Sequence, residues 1–268
     1  MWWPETMHVR LAPDRMEYRI KSPLSGEARS TGAVDCQPGE PAQPWYNAVA
    51  ALAAMIDENM RRRLRLDVVV SDRLVRYLVL PHRPEIATRA EWRAYALHRL
   101  ESVYGEVARG WRLRIDLVPP GRPSLACAVD NDLVDALRQI AGSNTSRLVA
   151  VRPNFIHVFN QRRAAMRGAR FWLAAVEGNT VVIGLMVDNS WRAMRNECAA
   201  DGWRSALPGV IRRVQLALPE PITATLYLHN ADGDEARLPE TVEGLPLRVL
   251  HTTPRRHEQL DGFAVAGD

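Results

Sequence analysis

Five aspartates are the side chains of this sequence best suited to acid–base chemistry. They are Asp67, Asp72, Asp130, Asp132 and Asp135. Two carboxylates brought together by folding would supply the acid and the base that glycoside hydrolysis needs. Structural roles fit their positions better: Asp72 interrupts two strand-like runs, and Asp132 and Asp135 lie in the first turn of a predicted helix, where negative charge is stabilising. The sequence therefore predicts no catalytic carboxylate pair.

Other residue types that carry chemistry also lack the required spacing. Cys36, Cys127 and Cys198 are far apart in the chain and show no metal-type spacing. Ser71 and Ser124 have no GxSxG-like surroundings. No GxxxxGK phosphate-binding loop occurs, and Lys21 lies in the unrelated sequence IKSP. We therefore predict no catalytic residue, no metal site and no cofactor.

Arginine accounts for almost all of the positive charge. The chain of 268 residues carries 35 Lys and Arg residues, of which only Lys21 is lysine, against 31 acidic residues, for a net charge of +4. The arginines are spread along the chain among the acids, and the runs at 61–63 and 255–256 are short. Runs this short are typical of a solvated face or a helix end. We therefore expect no nucleic-acid partner.

The sequence shows no membrane span and no secretory signal. No stretch approaches the roughly 20 apolar residues that cross a bilayer. The start, MWWPETMHVR, lacks both a basic region and a long apolar region. A cytoplasmic location with reduced cysteines is the expectation. Trp2 and Trp3 precede the first strand, and their position fits a contact surface, a start-site remnant and local packing over the fold equally well.

The segment from Arg63 to Glu106 gives the clearest structural signal. Its runs 66–70 and 74–80 are apolar and β-branched, which favours buried strands, and Pro81 ends the second run. Thr88 and Glu91 have the spacing of a capping box, so they predict the start of a helix that ends at Gly105.

The same order of elements occurs twice, about 160 residues apart. Each set has a strand hairpin, a third strand, a helix and a further strand, beginning at His8 in the first set and at Phe171 in the second. The two helices are predicted at about 44–63 and about 203–216. Between the sets, 111–117 and 124–129 are predicted to pair as strands, and Asn131 is predicted to cap a short helix. Such a repeat predicts two similar α/β halves that face a cleft.

This order, together with three stretches of sequence, resembles the actin-like fold shared by FtsA, PilM and the cytoplasmic part of GspL. The stretches are LDVVVSDRLVRYLVLP, a helix ending in ESVYGE, and SLACAVDNDLVDAL before the strand LVAVRP. They resemble the MshI, PilM and GspL group of type IV pilus and type II secretion inner-membrane platforms. The resemblance implies an α/β, duplicated ribonuclease H-like architecture of mixed sheets flanked by helices. It divides the chain into a first half at 1–165 with an inserted subdomain at about 66–130, a second half at 166–252 and a polar tail at 253–268.

Some members of this group are expected to bind ATP between the halves, at tight glycine-containing turns. Glycines and free N–H groups there let phosphates approach the backbone. The first hairpin of this chain has Pro13 in place of a glycine, and the second places Glu177 beside Gly178. The late turn at 229–234 is acidic and lacks paired glycines. We therefore expect no ATPase activity, with an atypical ATP-binding protein or phosphotransferase as the alternative.

The resemblance implies a non-catalytic cytoplasmic scaffold, peripheral to the inner membrane through its partners. Its expected partners are the cytoplasmic tail of a bitopic inner-membrane protein and other pilus or secretion platform subunits, and a homodimer is left open. The resemblance places partner binding in the cleft near the inserted subdomain. The predicted contact residues there are Arg76, Tyr77, Trp92 and Tyr95, since aromatic side chains and arginine favour interfaces.

Overall fold

The computed structural model describes residues 4–22, 24–58, 63–143, 146–231, 233 and 238–250. In chain order the first elements are β1 (Glu5–Ala12), β2 (Arg15–Lys21), β3 (Ala28–Asp35), α1 (Tyr46–Glu58), β4 (Leu64–Val70), β5 (Val75–Leu80), α2 (Arg89–Tyr104), β6 (Trp111–Asp116), β7 (Ser124–Asp130), α3 (Asn131–Ser143) and β8 (Arg147–Pro153). They are followed by α4 (Asn154–Arg162), β9 (Arg170–Glu177), β10 (Thr180–Val187), β11 (Ser190–Cys198), α5 (Trp203–Leu216), β12 (Leu226–Asn230), β13 (Thr241–Val242) and β14 (Leu245–Val249). The predicted α/β class, with mixed sheets flanked by helices, is confirmed.

The first half is a five-stranded sheet in the order β3-β2-β1-β4-β8. Strands β1, β4 and β8 are parallel, and β2 and β3 extend the sheet as an antiparallel hairpin. Alternate residues of β1, namely Met7, Val9 and Leu11, are buried in one core with α1 and α3. This period of two is what a strand needs to present one apolar face.

The second half repeats this order with a six-stranded sheet, β11-β10-β9-β12-β14-β13. Every residue of β10 is buried, because helix α5 covers one face and α4 approaches the other. Val181, Ile183 and Leu185 belong to the core under α5, whereas Val182 and Met186 pack with Phe155 and Trp191. The predicted repetition of strand hairpin, third strand, helix and further strand is therefore present, and in both halves the further strand is parallel to the first.

A separate three-stranded sheet, β5-β7-β6, lies between β4 and α3 in the chain and packs against α2. Thr88 and Glu91 form the predicted capping box at the start of α2. The stretch 66–70, placed at the start of the inserted subdomain by sequence, belongs instead to β4, which pairs with β1 and β8. The separate sheet begins at Val75.

Several predicted boundaries differ from the structure. Helix α3 begins at Asn131, and the Asp130 carboxylate, rather than Asn131, accepts the hydrogen bond of the Asp132 N–H over 3.0 Å. Helix α1, predicted to begin at about 44, begins at Tyr46. Strands β13 and β14 had no clear signal in the sequence because they are short and only partly buried.

Two expectations concern residues outside the described part of the chain. They are the contact role of Trp2 and Trp3 and the polar tail at 253–268. Among the described residues, no helix is long and apolar enough to cross a membrane.

Candidate functional site

The three turns expected at an actin-like nucleotide site converge in the folded chain. They line a cleft of about 370 Å³ between the two halves, named here the interlobe cleft. The first hairpin contributes Ala12 and Asp14, the second Glu177 and Gly178, and the turn after β12 contributes Ala231. The Ala231 N–H donates to the Val176 carbonyl over 2.9 Å, which holds the late turn against the second hairpin.

Charged side chains in the interlobe cleft already have partners. Arg73 binds Asp14 at 2.5 Å, and Arg15 binds Asp35 at 2.6 Å and Glu17 at 2.8 Å. Pro13 offers no N–H at the first turn, and no glycine stands there. The first turn therefore offers phosphates fewer backbone N–H donors than a glycine-containing turn would.

Behind this cleft, Ser71 and Asp72 connect elements from every part of the molecule, and we call this pair the Ser71–Asp72 hub. The Asp72 side chain is 1% exposed. It accepts hydrogen bonds from the Tyr77 hydroxyl, from the Asn154 side-chain amide over 3.1 Å and from the Phe155 N–H over 3.0 Å. Burial, with the neighbouring Glu177 carboxylate adding to it, raises the pKa of Asp72 to about 7 against these donors.

The hub also joins the two halves. The Ser71 hydroxyl donates to Glu177 Oε2 over 2.7 Å, and the Asp72 N–H donates to the same oxygen over 3.3 Å. From β11, the Asn196 amide donates to the Asp72 carbonyl over 2.7 Å. Burial raises the pKa of Glu177, which Ser71 and Arg10 partly oppose. Two carboxyl groups with raised pKa values thus lie in one network of hydrogen bonds, and this network connects the two halves.

A second buried polar cluster lies on the first sheet beside α4. Arg152 forms an ion pair with Asp67, and His8 Nδ1 lies 3.3 Å from Asp67 Oδ2. Burial alone would raise the pKa of Asp67, but His8 and Arg152 together lower it. Burial lowers the pKa of the nearby His157 to about 4. Among the described residues, no group of three metal-ligating side chains occurs.

A cavity larger than the interlobe cleft lies elsewhere, between the first half and the inserted sheet. This feature, named here the peripheral groove, has a volume of about 980 Å³. One wall is the segment 38–47, which leads from β3 into α1, and the other is the segment 107–112, which leads into β6. Tyr46 and Val107 line it with side chains that are 58% and 60% exposed. Large apolar side chains left this exposed are typical of interaction sites when they line a concave surface.

Hydrogen bonds fix both walls of the peripheral groove. At its base the Trp45 indole N–H donates to Asp130 Oδ2 over 2.7 Å. The Asn47 side-chain amide donates to the Gln37 carbonyl over 2.9 Å. On the opposite wall Arg112 donates to Asn131 Oδ1 over 3.0 Å. The groove is therefore formed before any ligand arrives, which lowers the entropic cost of binding.

The four residues predicted to contact a partner do not share one surface. The Arg76 guanidinium lies 5.7 Å from the Tyr104 ring and 5.8 Å from the Trp111 ring, beside the peripheral groove. Tyr77, its neighbour on the strand, points to the opposite face and binds Asp72.

The other two predicted contact residues lie on α2. Trp92 is 8% exposed and packs in the core of the inserted sheet. Tyr95 is half-buried, and its hydroxyl accepts a hydrogen bond from Arg99 over 3.2 Å. A direct contact of Tyr77 or Trp92 with a partner is not supported by this placement, and contacts of Arg76 and Tyr95 stay predictions.

Comparison of the whole structure with solved structures identifies the fold. A Bacteroides thetaiotaomicron protein with an actin-like ATPase fold and unknown function superimposes with a TM-score of 0.54 at 11% identity, over 84% of this chain and 81% of that chain. The chain has the actin-like ATPase fold. No family model and no curated protein matches its sequence.

Two actin-like structures come from pilus and secretion systems. The PilM–PilN type IV pilus biogenesis complex matches with a TM-score of 0.59 at 14% identity, over 91% of this chain and 88% of that chain. The cytoplasmic domain of EpsL, an inner-membrane component of the Vibrio cholerae type II secretion system, matches with 0.55 at 13%, over 95% and 89%. The resemblance to PilM- and GspL-type proteins expected from the sequence is confirmed at the level of the fold.

Proposed function

We propose that this protein is a non-catalytic, cytoplasmic actin-like scaffold of a type IV pilus or type II secretion assembly. It binds a short cytoplasmic segment of a single-pass inner-membrane protein and is peripheral to the membrane through that partner. The likeness in fold to PilM in a PilM–PilN complex and to the EpsL cytoplasmic domain supports the proposal. The same likeness supports contacts with further platform subunits.

The peripheral groove is the observation that carries the proposal. Its volume of about 980 Å³ is at the upper end of small-ligand pockets, and its walls combine apolar and charged side chains. Tyr46, Val107 and Trp111 provide apolar contacts, and Arg93 and Glu40 provide charges at the sides. An extended peptide of mixed polarity fits such a surface better than a compact nucleotide does.

The arrangement of the interlobe cleft supports a non-catalytic role. Arg15 and Arg73 in its lining are paired with carboxylates of the chain, and the Glu177 carboxylate adjoins the place where phosphates would lie. Without a cation, the half-buried Glu177 carboxylate repels phosphate. The scaffold therefore works through the peripheral groove without using a nucleotide.

Calorimetric titration tests the proposal directly. Peptides spanning the cytoplasmic tails of single-pass membrane proteins encoded beside this gene are titrated into the folded protein. We expect saturable binding by one of them, weakened about tenfold or more by Val107→Asp, which puts a charge into the groove. Leu216→Asp is the matched control, because Leu216 is 79% exposed on α5, outside the groove lining.

The outcomes separate the whole proposal from its assignment to the groove. If the folded protein binds none of the peptides, the scaffold proposal fails. If it binds one and Val107→Asp has no more effect than Leu216→Asp, the partner uses another surface. Arg76→Ala extends the test to the one sequence-predicted residue that lies beside the groove.

A further inference from the structure

Strand β3 forms one edge of the five-stranded sheet, and no described strand pairs with its outer side. A bulge next to Arg29 interrupts its pairing with β2, and from Ser30 to Asp35 the pairing is regular. This six-residue stretch contains no proline and no lysine, two residue types that commonly protect sheet edges from pairing with other chains. The edge is therefore open to another strand.

The hydrogen-bond ladder shows which backbone groups of β3 point outward. The Cys36 N–H donates to the Asp14 carbonyl over 2.8 Å, one step beyond the Arg15–Asp35 pair. In an antiparallel ladder, residues that exchange both backbone bonds alternate with residues that exchange none. The N–H and C=O groups of Thr31, Ala33 and Asp35 consequently face away from β2.

We propose that β3 pairs with β3 of a second copy of this chain, antiparallel and with the two-fold axis at Ala33. This register opposes Ala33 to its own copy and Thr31 to Asp35 on both sides of the axis. All three outward-facing residues then exchange backbone hydrogen bonds with the copy. The two first halves become one continuous sheet in a closed two-fold dimer.

Side chains beside the edge favour a second copy as the occupant. The Tyr18 ring lies over Gly32, where an added Cβ would be only 2.6 Å from Tyr18 Cε1. The register opposes Gly32 to Val34 of the copy, and side chains of such non-hydrogen-bonded pairs lie close together. Each half-buried Tyr18 ring thereby gains the half-buried Val34 side chain of the copy as an apolar contact.

Charges at the two ends of the paired strands are also complementary. The Asp35 side chain, 81% exposed, stands at the end of β3 and already binds Arg15. Opposite it in the copy lies Thr31, whose neighbour on β2 is the exposed Arg19. The two-fold axis places Asp35 of one copy near Arg19 of the other at both ends of the paired strands. An unrelated strand would not provide this charge complementarity at both ends.

Cysteine cross-linking tests both the dimer and its register. In a Cys198→Ser background, which removes the exposed native cysteine, Ala33→Cys is compared with Thr31→Cys under mild oxidation. On the axis, the two Cα atoms at position 33 would be about 5.5 Å apart, within disulfide range. The two at position 31 would be roughly 14 Å apart. We expect a disulfide-linked dimer from Ala33→Cys and none from Thr31→Cys.

Sedimentation analysis without oxidation completes the test. The unmodified chain is expected to form a dimer, and Ala33→Pro is expected to raise its dissociation constant about tenfold or more, because it removes an outward N–H and leaves the ladder to β2 intact. Ala33→Val, which suits a strand, should keep the dimer. A chain that is monomeric at all concentrations overturns the proposal, as do equal cross-linking at positions 31 and 33 and a dimer unaffected by Ala33→Pro.

Discussion

The Ser71 hydroxyl donates a hydrogen bond to Glu177 Oε2 over 2.7 Å, and this bond crosses from the first half of the molecule to the second. Ser71 follows β4, and Glu177 ends β9, so the bond joins the two sheets at the back of the interlobe cleft. Ser71 is 2% exposed. The half-buried Glu177 carboxylate would keep most of its desolvation cost if it lost this donor. The contact is therefore a sensitive probe of how the halves are held together.

Removing the hydroxyl should destabilise the folded protein. We expect Ser71→Ala to lower the free energy of unfolding by about 2 kcal/mol, because Glu177 loses its shorter hydrogen bond and keeps only the Asp72 N–H at 3.3 Å. Urea denaturation measures the change. Ser102→Ala on the exposed face of α2 is the matched control, and about 0.5 kcal/mol or less is expected there. A loss for Ser71→Ala as small as that of the control would show that the contact does not stabilise the halves.

The raised pKa of Asp72 gives stability a defined pH dependence. In the folded protein the Asp72 carboxyl group keeps its proton up to about pH 7, whereas an unperturbed aspartate releases its proton near pH 3.8. A folded state that binds a proton more tightly is most stable at acidic pH and loses that stability as the pH rises through the folded pKa. Asp72 therefore contributes on the order of 4 kcal/mol at the acidic end, lost between about pH 4 and pH 7.

His157 acts in the opposite direction, so the comparison must be made between variants. Its pKa is lowered from 6.5 to about 4, which makes the folded state gain stability as the pH rises across that interval. In the unmodified protein the two effects offset each other. Asp72→Asn removes one of them, so its free energy of unfolding should rise with pH more steeply than that of the unmodified protein. Denaturation curves at pH 5 and pH 7.5 check this, and parallel pH profiles would contradict it.

The interlobe cleft should not respond to nucleotide. With Pro13 at its first turn and paired charges along its walls, we expect millimolar Mg-ATP to shift the melting temperature by less than about 1 °C. Thermal unfolding with magnesium sulfate at equal ionic strength is the control. A saturable rise of several degrees would instead favour the alternative of an ATP-binding protein with an atypical site.

Much of the fold could be predicted because its signals are local. The capping box of Thr88 and Glu91 joins residues three positions apart, and it fixed the start of α2 within the sequence itself. Helix α5, predicted at about 203–216, is Trp203–Leu216 in the structure. Hairpins and amphipathic helices depend on neighbouring residues, so a single sequence carries most of the information needed to place them.

The candidate site could be predicted only in part, because its contacts join distant residues. Asp72 was correctly interpreted as interrupting two strands, but its burial depends on α4 and on Glu177, more than 80 and 100 positions away. The walls of the peripheral groove are the segments 38–47 and 107–112. Nothing in the sequence of either segment predicts that it lies opposite the other. The residue type of Tyr77 favours an interface, but the pleat of β5 turns its side chain away from Arg76 and into the Ser71–Asp72 hub.

Two glycines with opposite surroundings provide a last test of the core between the halves. An added Cβ at Gly184 on β10 would lie 2.6 Å from the Trp191 ring and 2.9 Å from the Phe155 ring. Because Phe155 also donates its N–H to Asp72, displacing this residue would disturb the hub. We expect Gly184→Ala to cost about 1–3 kcal/mol of unfolding free energy. Gly142→Ala on α3, where no atom lies within 4 Å of the added Cβ, should stabilise by up to about 1 kcal/mol through helix propensity. Urea denaturation measures both changes. If the two substitutions had equal effects, the Trp191 and Phe155 rings could move aside without loss of stability. The packing of β10 against α4 would then not hold the halves together.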